Sequence, residues 1–272
     1  MVSGSENWNL AIFRDSSGAS VAAADIVSAL IRDEPRAALS FPTGSTPLGM
    51  FDVLAARAAR GEIDFSDVTV FCLDEYLGVT VEDPNSLTRW LGDALLNRIG
   101  VSADQIRALP VTAEDLGAAA NAFDEAIAAQ GGLDLAILGL GPNGHIGYNE
   151  PGSSADSRTR VISLTPESHN QASAYWEGAV PIPDQAMTMG VGTLLEAKQI
   201  VLLVVGEAKA DILHRTLENS MSADLPASWL RIAGSRLTVI ADEAAARDLS
   251  IALSEWAAAL DDRGGDSRDR RT

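Results

Sequence analysis

The chain has 272 residues, 46% of them hydrophobic, which is enough to bury one large core. Its 38 Asp and Glu against 20 Lys and Arg give a formal net charge of −18, which repels phosphate backbones and anionic lipid surfaces and excludes nucleic acid and membrane as expected partners. The one cysteine, Cys72, excludes an intrachain disulfide and a Cys-rich metal cluster and fits a reducing, cytoplasmic setting.

The stretch Met1-Val2-Ser3-Gly4-Ser5-Glu6 has neither the cationic start nor the apolar run of an export signal. From there the sequence alternates short apolar, β-branched runs with longer Ala- and Leu-rich stretches at helical spacing, the rhythm of βα units. A strand is expected at 10–13 with a helix at 17–31, then a strand at 37–41 with a helix at 47–59. A strand at 68–73 precedes a helix at 86–99, and a helix at 113–130 leads into a strand at 133–138. Further strands are expected at 161–164, 199–205 and 236–240, the last two followed by helices at 209–218 and 243–260. The apolar run Ile200 to Val205 is too short to cross a bilayer.

Most of these strands are apolar at nearly every position, as in Leu133-Asp134-Leu135-Ala136-Ile137-Leu138, so both faces need cover. The expectation is a single α/β domain over 1–260, three layers in α/β/α order, with a mainly parallel, Rossmann-like sheet. Residues 166–185 break the rhythm: they are largely polar, carry Tyr175, Trp176, Pro181 and Pro183, and read as a flap over a cleft or an irregular connection. The charged, Gly-containing tail 261–272 reads as disordered.

In open α/β sheets ligands sit at the carboxyl ends of the strands, which singles out four loops. The first, Pro42-Thr43-Gly44-Ser45-Thr46-Pro47, runs from a strand into a helix whose first turn suits Pro47. Amides at such a start, with hydroxyls from Thr43, Ser45 and Thr46, make a phosphate cradle or an ordinary helix cap, and the lysine of a Walker A loop is missing. A cradle of that kind can dominate the field locally whatever the global charge. The second place is Asp74-Glu75, adjacent carboxylates at a strand end, of which an extended backbone turns only one toward a cleft.

The third is Gly139-Leu140-Gly141-Pro142-Asn143-Gly144-His145-Ile146-Gly147-Tyr148-Asn149-Glu150-Pro151-Gly152-Ser153. Its G-x-G-x-x-G is not a dinucleotide fingerprint, because the third glycine is followed by loop residues and not by a helix. It offers instead an imidazole, His145, and a carboxylate, Glu150, five residues apart. A carboxylate facing one ring nitrogen fixes the ring and leaves the other nitrogen for proton transfer. The fourth place is Lys209, at the start of a helix after the strand at 199–205, where it could add a point charge to the phosphate cradle or be an ordinary first-turn lysine.

Taken in order, these segments resemble the glucosamine-6-phosphate deaminase family, with further likeness in Ser157-Arg158-Thr159-Arg160 and Thr188-Met189-Gly190-Val191-Gly192-Thr193-Leu194-Leu195. The run His145-Ile146-Gly147-Tyr148-Asn149-Glu150-Pro151-Gly152 separates the chain from the sister 6-phosphogluconolactonases, whose loop reads His-Thr-Ala-Ser-Leu-Phe-Pro and which carry Asp-Glu-Arg where this chain has Asp74-Glu75-Tyr76. The resemblance implies that His145, held by Glu150 and accompanied by Asn143, opens the sugar ring. It also implies that Asp74 moves the C2 proton and that Thr43, Gly44, Ser45, Thr46 and Lys209 hold the phosphate of an amino sugar phosphate. It implies no cofactor and no metal.

The chain departs from the family in four places. Asn143 stands where many relatives have Asp. The stretch near 173–176 lacks the phosphate-binding arginine of the relatives' Arg-Phe-Phe. Ile162 replaces a basic residue that regulated relatives use beside Arg160, and Arg231-Ile232-Ala233-Gly234 lacks the family's usual histidine. The competing readings are a lactonase or other sugar-phosphate isomerase on the same fold and a non-enzymatic sugar-phosphate sensor. A sensor should carry a helix-turn-helix before the first strand, and the sheet is expected to begin by Leu10. Homo-oligomer formation is left open.

Overall fold

Strands that are apolar on both faces need helices on both sides, and the computed structural model, which describes residues 8–175 and 181–250, supplies them. The elements are β1 (Asn9–Phe13), α1 (Ser16–Asp33), β2 (Ala38–Ser40), α2 (Leu48–Ala59), β3 (Thr69–Phe71), β4 (Asp74–Tyr76), α3 (Leu87–Ala94), β5 (Ile106–Arg107) and α4 (Leu116–Ala129). There follow β6 (Leu135–Gly139), β7 (Arg160–Ser163), α5 (Pro166–Tyr175), β8 (Gln185–Thr188), α6 (Val191–Leu195), β9 (Gln199–Val204), α7 (Ala210–Glu218), β10 (Leu237–Asp242) and α8 (Glu243–Ala246). Seven strands form one parallel sheet in the order β1-β10-β9-β6-β2-β3-β5, and β4-β8-β7 form a small antiparallel sheet beside it.

Alternation along the strands divides the core in two. In β9, Val201 and Leu203 pack with α1 and α2 residues such as Val27 and Phe51, whereas Ile200, Leu202 and Val204 pack on the opposite face with Ile127 of α4 and Leu213 of α7. In β6, Leu135 and Ile137 face the first cluster and Ala136 and Leu138 the second. Each fully buried leucine of this kind contributes roughly 1.5–3 kcal/mol by leaving water. Local caps start the helices that deliver these faces: the Asp15 carboxylate accepts from Gly18 N (2.9 Å) at α1, and Asp115 accepts from Ala118 N (2.9 Å) at α4.

The sequence-based expectation and the structure part company where the small sheet forms. The strand expected at 68–73 leaves the main sheet after Phe71 and resumes at Asp74 as β4, paired with β8. The strand expected at 161–164 in the main sheet is instead β7, antiparallel to β8. Such short strands carry too few residues to show a period. The helix expected at 86–99 breaks at Leu95 into a 3-10 turn, Leu96–Ile99, which ends on Gly100 at φ 76°. Within 166–185 lie a helix, α5, and the first residue of β8, so the segment is not irregular throughout. The sequence signal was present: Thr165 Oγ1 accepts from Ser168 N (3.2 Å), and Pro166 opens the helix. Of the helix expected at 243–260, Glu243–Ala246 is observed and the chain leaves the helix at Arg247, with 247–250 non-helical, while 251–260 and the tail 261–272 lie outside the described residues. Among the described residues no helix is long and apolar enough to cross a membrane.

Candidate active site

The strands β9, β6, β2 and β3 are neighbours and run parallel, so the chain segments that leave their carboxyl ends emerge side by side. Those segments are the four singled out from sequence. They line one cavity of about 430 Å³ with Thr43, Gly44, Ser45 and Thr46 from the first, Asp74 from the second, Gly141, His145, Gly147 and Tyr148 from the third and Lys209 from the fourth. Asn143 and Glu150 stand behind His145.

No side chain caps the start of α2; Pro47 precedes its first turn, and the first amide, Leu48 N, donates to the Ser45 carbonyl (3.4 Å) of the Thr43–Thr46 loop. Lys209 is the only Lys or Arg among the described cavity-lining residues. Its Nζ donates to the Leu140 carbonyl (2.8 Å), which anchors the ammonium at the rim, and burial lowers its pKa. Amides, hydroxyls and one ammonium together suit an anionic group.

Asp74 and Glu75 are both buried and have opposite fates. Glu75 turns away from the cavity and caps α3, accepting from Leu87 N (3.0 Å), Thr88 N (2.9 Å), Ser86 Oγ (2.7 Å) and its neighbour Tyr76 N (2.9 Å). Asp74 lines the cavity, and its Oδ1 has no hydrogen-bond donor among the described residues. Burial, reinforced by the nearby Glu75 charge, pushes its carboxyl up to about 7. A carboxylate poised there can take a proton from carbon and return it near neutral pH.

That displacement has a stability consequence whose sign is fixed. Between the usual 3.8 and about 7 the folded chain keeps a proton on Asp74 that the unfolded chain has released, so stability present below the lower value is lost as pH rises through the upper one. Asp74→Asn removes the titration. Its melting temperature relative to the wild type is expected to climb by several degrees between about pH 4 and about pH 8. A difference that stays constant across that range would show that Asp74 ionises as freely in the fold as in the unfolded chain.

The third loop is held by its own polar groups. Asn149, fully buried, donates to the carbonyls of Ile146 (3.0 Å) and Met189 (2.7 Å) and accepts from Arg160 (2.9 Å), which also donates to Ser153 Oγ (2.8 Å). Asn143 Oδ1 accepts from His145 N (3.1 Å) while its Nδ2 donates to Glu150 Oε2 (3.0 Å). Glu150 Oε1 accepts from Thr165 N (3.2 Å). Burial alone would raise Glu150, but the polar groups of His145, Ser168 and Asn143 gathered around it, together with the imidazole charge, outweigh it and hold the carboxyl down at about 2.

Two glycines are required by this packing. A Cβ on Gly141 would lie 2.2 Å from His145 Nε2, so only glycine lets the ring lie over that backbone. Gly144 sits at φ +86°, and a Cβ there would lie 2.2 Å from Leu225 Cδ1.

Sequence reasoning missed the contributions of α5 and of the tyrosines. Ser168 and Gln171 line the cavity from α5, and Tyr148 packs beside His145 with its hydroxyl 2.7 Å from that of Tyr76. Ile162 packs against the apolar cluster that includes Tyr76 and Ala186.

Residues 16–239 match the family model of glucosamine-6-phosphate isomerases/6-phosphogluconolactonase. The chain is 39% identical over 242 residues, 89% of its length and 92% of the relative's, to a glucosamine-6-phosphate deaminase of Beutenbergia cavernae. It is 40% identical to one of Streptomyces avermitilis, covering 84% of this chain and 88% of the relative. Among solved structures it superposes on a monomeric glucosamine-6-phosphate deaminase with a TM-score of 0.83 at 33% identity, covering 88% of this chain and 99% of that one. It shares the fold alone with the 6-phosphogluconolactonase of Trypanosoma brucei, at a TM-score of 0.67 and 18% identity over 89% and 98% of the two chains.

Proposed function

The chain belongs to the family of glucosamine-6-phosphate isomerases and 6-phosphogluconolactonases, and we propose that within it this protein converts glucosamine 6-phosphate and water to fructose 6-phosphate and ammonia. The observation that carries this reading is the pairing, in one cavity, of a buried carboxyl with a free oxygen, Asp74, and an imidazole backed by its own carboxylate, His145. Ester hydrolysis of a lactone needs one base acting on water. Moving a proton between adjacent carbons after opening a ring uses two groups with separate tasks.

In the proposed sequence the phosphate sits on Thr43, Gly44, Ser45, Thr46 and Lys209. His145, oriented by Glu150 and Asn143, takes the proton from the C1 hydroxyl and delivers it to the ring oxygen as the C1–O5 bond breaks. Asp74 then removes the C2 proton from the open aldehyde, giving an enolamine once O1 is protonated, and returns a proton to C1. The resulting C2 imine adds water and expels ammonia, leaving the ketose. No electron leaves the substrate, so no redox partner is called for. The absence of an arginine near 173–176 leaves Lys209 and the loop amides to supply phosphate affinity.

The test is direct. Purified protein incubated with glucosamine 6-phosphate should release ammonia and fructose 6-phosphate in equal amounts and leave 6-phosphogluconolactone unhydrolysed above background. Among the described residues no cluster of three or more His, Cys, Asp or Glu is arranged to hold a metal ion. Turnover is therefore expected to be unchanged, within about twofold, after exhaustive chelation. Loss that a divalent metal restores would overturn the cofactor-free scheme, and lactone hydrolysis without ammonia release would move the chain to the sister activity.

A further inference from the structure

We propose that Asp242, the last residue of β10, is a positioning residue for the phosphate end of the cavity: it fixes the turn at Gly206 and, through that turn, the place of Lys209. The inference deepens the proposed function and rests on that reading for the role of Lys209. Phosphate binding can be measured without turnover.

The strands β9 and β10 are parallel neighbours, so the chain leaving β9 emerges beside the end of β10. There Gly206 N donates to both carboxylate oxygens of Asp242, at 3.0 Å each. Asp242 is 5% exposed, so water competes little for it, and its Oδ1 also accepts from Ala245 N (2.8 Å) at the start of α8. From Gly206 the tie runs on to the lysine. The Gly206 carbonyl accepts from Lys209 N (3.0 Å) across the single 3-10 turn Glu207–Lys209, and Lys209 Nζ reaches the Leu140 carbonyl (2.8 Å) at the cavity rim.

Gly206 sits at φ 92° and ψ 148°, a conformation open to glycine and to few other residues. Packing does not hold it there, since a Cβ on that residue would meet no heavy atom within 4 Å. A glycine left to itself spreads over many conformations, so the buried carboxylate is what selects this one. The other tie across the gap, the Arg247–Glu207 pair, is exposed and holds the turn weakly. Without Asp242 the turn loosens, and Lys209 loses its fixed place in the cavity it shares with Thr43–Thr46.

Charge and position predict opposite results. Removing a carboxylate near an anion site should by charge alone tighten phosphate binding, whereas loss of the tie should weaken it. Inorganic phosphate titrated into the full chain and followed by nitrogen-15 NMR gives the dissociation constant. Asp242→Ala should raise it on the order of 10-fold, the size of one lost hydrogen bond to a charged group. In a Lys209→Ala background the same change should add less than about twofold, because the group it positions is gone. Asp242→Asn keeps Oδ1 as an acceptor for Gly206 and Ala245 and should retain most of the affinity. With glucosamine 6-phosphate as substrate, Asp242→Ala should raise KM by a similar factor and lower kcat less than about threefold. Gly206→Ala is the second variant, for the case in which Asp242→Ala does not fold. It leaves the carboxylate and its cap on α8 in place, meets open space and strains the turn at positive φ, so it should weaken phosphate binding through Lys209 in the same way.

Tighter or unchanged phosphate binding in folded Asp242→Ala overturns the proposal. So does an equal loss with and without Lys209, which would make Asp242 a support of the fold at large. A Lys209→Ala variant that binds phosphate as well as the wild type overturns it too. If Asp242 and Lys209 prove coupled while the protein releases no ammonia from glucosamine 6-phosphate, the positioning role stands and the proposed function fails.

Discussion

Asp74→Asn is expected to lower ammonia release and deuterium wash-in at C2 together, by roughly 100-fold or more, the contribution of a lost general base. The amide keeps the shape of the carboxyl but cannot take the C2 proton, and no other described cavity carboxylate is free to do so. Glu75, the adjacent candidate, is saturated by the start of α3. Substrate binding should survive and tighten slightly if anything, because a buried charge facing the ligand is removed. Isotope exchange by NMR alongside a coupled ammonia assay reads both quantities. Near-normal C2 exchange in Asp74→Asn would place the base elsewhere and remove the central step of the scheme.

His145→Gln is expected to fail differently. If the imidazole only opens the ring, the variant still processes the open-chain fraction, and its turnover falls until it is limited by spontaneous ring opening in solution, a loss of about 100-fold. Ring opening in solution is itself catalysed by acids and bases, so the variant's rate should rise with buffer concentration while that of the wild type does not. Retained C2 exchange on whatever substrate is open would accompany it. A His145→Gln protein that loses C2 exchange as completely as Asp74→Asn, with no response to buffer, would show that the two residues share one step.

Much of the candidate site is legible in the sequence because its parts sit in short segments after predictable strands. The loop 42–47, the carboxylates at 74 and 75, the run from Gly139 to Ser153 and Lys209 each follow an apolar run, and parallel strands bring such ends to one edge. What escapes is whatever comes from elements without a period of their own. The strand β8, four residues long, leaves no pattern, yet it pairs with both β4 and β7 and so fixes the backbone that carries Asp74. The helix α5 is polar enough to read as a loop, and Ser168, which meets His145 from it, lies 23 residues away in sequence.

By itself the sequence determines the layered α/β architecture, since strands apolar on both faces have no other stable arrangement, and it determines which loops meet at the strand ends. It also determines that one of the two adjacent carboxylates must turn from the cleft. Which one turns is decided only by tertiary structure: the start of α3 supplies two amides and a hydroxyl that satisfy Glu75 and leave Asp74 buried without a donor on Oδ1. The physical reason is that a buried carboxylate settles where donors converge, and those donors come from residues 11 to 13 positions further along the chain. The same holds for the surroundings of His145 Nδ1, where Ser168 arrives from α5 at 3.1 Å beside the loop's own Glu150 at 3.7 Å.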